Sequence, residues 1–124
     1  MKILIVDDDE ISLDMLKFIL GLDKHEVRAF GCPFEAVECL KQEKFDLIIS
    51  DYMMPKMSGL LFIKAIKHYI GETKIALLSA YTFSKLGLQK EDYADEIGRI
   101  DKVFYKPLDI AQLKEYVEKI NRHD

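Results

Sequence analysis

The chain has 124 residues, 49% of them hydrophobic and 32% charged, which suits a single globular domain able to bury its own core. A net charge of −4 argues against direct nucleic-acid binding or attachment to an anionic membrane. No apolar run approaches the length of a membrane span, so no membrane insertion is expected, and Met1-Lys2 leads into a strand with no room for a signal peptide. Cys32 and Cys39 form no CxxC pair and have no nearby histidine set, so two free thiols in a reducing cytoplasm are expected.

Ile3–Val6 reads as a buried strand, a short β-branched run closed by a charge cluster. It runs directly into Asp7, Asp8, Asp9 and Glu10. Carboxylates a few ångströms apart repel by roughly 1 to 4 kcal/mol. A helix start accounts for Glu10 and one aspartate, as cap and charge complement. The others need a cation. The helix that follows is expected to turn Ile11, Met15, Phe18, Ile19 and Leu22 inward. His25–Phe30 alternates like a strand exposed on one side, at a sheet edge. Pro33 opens a second helix with Ala36, Val37 and Leu40 on its apolar face.

Phe45–Ser50 is another short apolar run, and it too ends in an acid, Asp51. A third helix from Gly59 carries the stripe Phe62, Ala65, Ile66, Tyr69 and Ile70. Lys74–Ala80 reads as a fully apolar strand ending in the hydroxyl of Ser79. From Tyr81 to Asp101 the pattern is least regular: Tyr93, Ile97 and Ile100 have helical spacing, while Gly87 and Gly98 limit the helix. Lys102–Pro107 supplies a fifth strand. Asp109 then caps a last helix whose inward residues are Ile110, Leu113, Val117 and Ile120.

Strands alternating with helices imply right-handed crossovers and an α/β fold, a doubly wound parallel sheet with helices on both faces. Ligands of such sheets bind at the carboxyl ends of the strands, where the strand order reverses. Asp7 and Asp8, Asp51, Ser79 and Lys106 all stand at those ends. Acids, a hydroxyl and a lysine therefore share one rim.

Four stretches carry a family resemblance: "LIVDDD" at Leu4–Asp9, "DLIISDYMMPKMSG" at Asp46–Gly59, "LLSA" at Leu77–Ala80 and "YKP" at Tyr105–Pro107. Over residues 1–124 the chain resembles the receiver domain of bacterial two-component response regulators, including the single-domain chemotaxis regulator. The resemblance implies a flavodoxin-like five-stranded sheet in the order 2-1-3-4-5. It makes Asp51 the phosphoacceptor, taking a phosphoryl group from the phosphohistidine of a sensor histidine kinase or phosphotransfer protein. Mg²⁺ is implied, held by Asp8, Asp51 and the Met53 backbone carbonyl, with Asp7 acting largely through water. Ser79 becomes the switch hydroxyl and Lys106 the phosphate-binding cation, with a cis peptide before Pro107.

The chemistry agrees with this. A carboxylate can attack phosphorus only if the negative charges are neutralised, and Mg²⁺ favours an octahedron of oxygens with retained waters. Such a domain is a signalling switch that assists its own phosphorylation and dephosphorylation, not a conventional enzyme. It would control an unidentified downstream protein or output domain in the cytoplasm, with a dimer forming on phosphorylation.

The sequence also departs from the family pattern. Val103 stands where members usually carry an aromatic residue, three positions before the lysine, and the stretch from Ser79 to Lys106 is a few residues long for the family. Activation is therefore expected to run through the Ser79 loop and the Tyr81–Asp101 segment. The alternative is a receiver-like interaction module that works without phosphorylation, and the full set of site residues speaks against it. A small aspartyl phosphatase would carry an acid two residues after the nucleophile, where this chain has Met53. A flavodoxin-like electron carrier would meet its flavin phosphate with "DDDE", which repels it. Thr82 and Ser84 read as loop residues, and His25, His68 and His123 as surface histidines.

Overall fold

The structure, a computed structural model, describes residues 1–81 and 93–122. Its elements alternate without exception: β1 (Lys2–Val6), α1 (Glu10–Leu22), β2 (Glu26–Phe30), α2 (Pro33–Gln42), β3 (Leu47–Asp51), α3 (Gly59–Ile66), β4 (Lys74–Ser79), α4 (Ala94–Gly98), β5 (Lys102–Tyr105) and α5 (Ile110–Arg122). The strands form one parallel sheet in the order β2-β1-β3-β4-β5, as expected. β1 and β3 are apolar and buried on both faces because helices cover both sides, whereas β2 lies at an edge and is only partly covered.

Two apolar layers sandwich the sheet. On one side Leu4, Val6, Ile48, Ile75 and Leu77 meet Ala36 and Leu40 of α2 and Leu60, Phe62, Ile63 and Ile66 of α3. On the other, Ile3, Ile5, Ile49, Leu78 and Phe104 meet Leu13, Leu16 and Leu20 of α1 and Leu113 and Val117 of α5. Successive strand residues feed opposite layers, as the period of two requires.

Two helix faces differ from expectation. In α1 the buried stripe is Leu13, Leu16 and Leu20; Ile11 and Phe18 are 81% and 68% exposed, and Met15 and Leu22 are exposed with them. This helix carries two apolar stripes, and helical periodicity alone does not say which one turns inward. In α3 the chain leaves the helix after Ile66, so Tyr69 is exposed while Ile70 is buried from the following turn. Lys41 lies over the Tyr69 ring at 5.6 Å. Leu60 and Ile63 complete the buried face instead.

Cys32 and Cys39 are both free and half-buried. Burial pushes the Cys39 thiol up, and its Sγ donates to Glu43 Oε2 at 3.4 Å. Glu43 also accepts from Lys2 and Arg28, which ties α2 to β1 and β2 and holds its carboxyl down at about 2. His25 accepts from the amino group of Met1, and His68 is exposed. Thr82, Ser84, Gly87 and His123, with most of the irregular stretch after Tyr81, lie outside the described residues. No described helix is long and apolar enough to cross a membrane.

Candidate functional site

The parallel register delivers the site residues to one end of the sheet. β1 runs into Asp7 and Asp8, β3 ends at Asp51, β4 at Ser79, and β5 leads into Lys106. Asp7, Asp51 and Ser79 are 1%, 4% and 1% exposed, although each is polar. Asp7, Asp8 and Asp51 each place a carboxylate oxygen within 4.8 Å of the others. Lys106 Nζ lies 2.7 Å from Asp51 Oδ1. One cation thus meets three clustered acids.

The four consecutive acids divide their work. Asp9 is the N-cap of α1: its Oδ1 accepts from the Ile11 N–H at 3.1 Å, and its Oδ2 accepts from the Ser12 hydroxyl at 3.1 Å. Glu10 opens the first turn, where the helix dipole favours a negative charge. Asp7 Oδ1 accepts from the Asp9 N–H at 3.0 Å, but Asp7 Oδ2 is buried without a partner. A buried, unpaired carboxylate oxygen is costly, and with two further carboxylates beside it this cluster could hold a cation.

The electrostatics follow. Burial pushes the Asp7 carboxyl up to about 6; the Asp9 N–H opposes this, and the charge of Asp51 adds to it. Burial works to lower the Lys106 ammonium, but the hydrogen bond and charge of Asp51, backed by Asp7 and Asp8, raise it above its usual value. Ser79 donates its hydroxyl to the Tyr81 carbonyl at 2.6 Å, and its own carbonyl accepts from the Lys106 N–H at 2.9 Å. The Lys106–Pro107 peptide is cis. Met53 sits in the β3–α3 loop with its side chain exposed, and Val103 is half-buried beside Leu77.

Gly59 sets the distance between α3 and the site. A Cβ there would come within 2.9 Å of the Asp51 carbonyl oxygen, 3.1 Å of Tyr52 Cα and 2.8 Å of Leu77 Cδ1. Its N–H donates to the Tyr52 carbonyl at 2.7 Å, and Ser58 caps the helix by accepting from the Leu61 N–H. Two of the three atoms are backbone at the end of β3 and cannot step aside. Gly59→Ala is therefore expected to cost about 1 to 3 kcal/mol of stability. Urea denaturation checks this, and a variant as stable as the parent would refute the close approach.

The structure gathers Asp7, Asp8, Asp51 and Lys106 and ends β4 at Ser79 on the same rim, whereas the sequence pattern assigns Gly59 no role beyond starting a helix. A glycine at the first turn of a helix that follows an acid-ended strand was the available signal.

This rim, on this sheet order, defines a receiver. The chain belongs to the response regulator receiver domain family, whose model matches residues 3–118. Among curated relatives it is 34% identical to the response regulator protein PilR of Pseudomonas aeruginosa, covering 94% of this chain and 25% of PilR. It is 30% identical to protein-glutamate methylesterase/protein-glutamine glutaminase 3 of Burkholderia thailandensis, covering 98% of this chain and 34% of that protein. It thus spans about a third or less of the length of these relatives. Among solved structures, chemotaxis protein CheY4 of Vibrio cholerae matches with a TM-score of 0.80 and 27% identity, over 96% of this chain and 97% of that one. The receiver domain of the Francisella response regulator 1452 shares the fold with a TM-score of 0.81 at 22% identity, over 98% and 97% of the two chains.

Proposed function

We propose that this receiver is a Mg²⁺-dependent phosphoryl switch with Asp51 as its phosphoacceptor, and that residues 1–124 act as one unit. The observation that carries this is the buried, unpartnered Asp7 oxygen beside the Asp51–Lys106 pair. Family membership supplies the reaction class. Asp51 attacks the phosphorus of a phosphohistidine on a histidine kinase or phosphotransfer protein. An O–P bond forms, the P–N bond breaks, and the imidazole leaves carrying a proton. Mg²⁺ held by Asp8, Asp51 and the Met53 carbonyl, with Asp7 acting largely through water, would neutralise charge between the attacking and phosphoryl oxygens.

Lys106 releases Asp51 and turns its point charge to a phosphoryl oxygen. The Ser79 hydroxyl leaves the Tyr81 carbonyl and donates to the same group, so occupancy of the site is felt at the start of the segment after β4. The outer stripe of α1 begins at Ile11, directly after the acid cluster, and offers the phosphodonor an apolar surface. The domain acts in the cytoplasm as a signal for an output domain or partner, with no substrate turnover of its own. The intact acid set and Lys106 favour this over an interaction module that ignores phosphate.

Incubation with acetyl phosphate and Mg²⁺ should add one phosphoryl group by intact mass. Chelator or Asp51→Asn should abolish it. Full labelling in either case would overturn the proposal.

A further inference from the structure

α4 has only five residues, Ala94–Gly98, too few to be stable alone, and its N-cap residue Tyr93 makes no side-chain capping bond. What it packs against must hold it. Tyr93, Ile97 and Ile100 lie on the apolar layer that includes Tyr52 and Met54, the residues just past Asp51. Tyr52 is itself tied to its neighbours: its N–H donates to the Leu78 carbonyl at 2.8 Å, and its carbonyl accepts from Gly59. α4 thus packs against α3 on this layer, and Tyr93 lies near enough to Tyr52, just past Asp51, for their charges to interact.

The remaining restraint is a charge in an unusual place. Glu96, in the middle of this short helix, is only 4% exposed. Its Oε2 accepts from Lys67 Nζ at 2.8 Å, and Lys67 is the C-cap of α3. Asp95 Oδ2 lies 3.8 Å from the same ammonium. A buried carboxylate is tolerated only while it is paired, so α4 cannot slide along α3 without exposing Glu96 or stranding it. Apolar contacts would permit small shifts. This pair does not.

Resting on the phosphoacceptor reading above, we propose that the Lys67–Glu96 ion pair is the latch that holds α4 in its resting position and sets how readily the domain switches. A ligand that favours the switched state must then work against the latch. Removing the latch raises the fraction of molecules already competent, and with it the apparent affinity for that ligand.

Fluoroberyllate with Mg²⁺, titrated by amide shifts, is the probe. Glu96→Gln should bind it about threefold to tenfold more tightly than the parent. Lys67→Met on its own strands the buried acid and risks the fold, so the double variant Lys67→Met/Glu96→Met, apolar at both positions, provides the safer test. Removing both partners of a buried pair is often neutral for stability. The double variant should keep the parent's thermal stability and show the same gain in affinity, while Lys67→Arg, which preserves the charge, should bind like the parent. A folded double variant with parental or weaker affinity would overturn the latch, leaving the pair purely structural. Failure of the parent to bind fluoroberyllate would instead overturn the phosphoacceptor reading itself.

Discussion

Lys106→Met should slow phosphorylation by acetyl phosphate about 100-fold, the usual cost of losing one charge aimed at the transferring group. The same change should leave Mg²⁺ binding intact or stronger. Among the described residues Lys106 is the cation paired with Asp51, at 2.7 Å, and its removal leaves the three acids a better cation site. This opposite movement of rate and metal affinity separates a phosphate-binding lysine from one that only neutralises the acids. A variant phosphorylated at the parental rate would show that Lys106 serves as a counter-ion alone.

The second large effect is a pH dependence of the metal-free protein. Burial holds the Asp7 carboxyl at about 6, against an ordinary value of 3.8, so the folded chain binds that proton more tightly than the unfolded one. The stability this contributes is whole below about pH 4 and is lost as the pH rises through about 6. The loss should amount to about 2 to 3 kcal/mol. Urea denaturation in chelator, compared between the parent and Asp7→Asn, isolates it from other titrating groups. The parent should weaken relative to the variant across this window, and added Mg²⁺ should restore it by binding the ionised form. A difference that stays flat with pH would mean that Asp7 is not desolvated and has no need of a cation.

Much of this was legible in the sequence because the signals were local. β1, β3 and β4 announce themselves as apolar runs that stop at Asp7, Asp51 and Ser79, and parallel alternation puts those stops on one rim. The caps at Asp9 and Asp109 are likewise short-range, each accepting from an N–H two or three residues ahead. What escaped was set by tertiary packing. α1 presents two apolar stripes of similar quality, and only the sheet decides that Leu13, Leu16 and Leu20 turn inward. Tyr69 left the core because α3 ended a turn earlier than its periodicity suggested. The Lys67–Glu96 pair joins residues 29 apart in sequence, and a glutamate on a polar stretch gives no hint of burial.

The account stands or falls on where the phosphoryl group goes. After acetyl phosphate and Mg²⁺, borohydride reduction converts an aspartyl phosphate to homoserine, and peptide mass mapping then locates it. The modification should fall on Asp51, and Asp7, Asp8 and Asp9 should remain unmodified. Homoserine at any of those three, or none anywhere in a protein that had gained phosphate, would contradict the assignment of Asp51 as the phosphoacceptor.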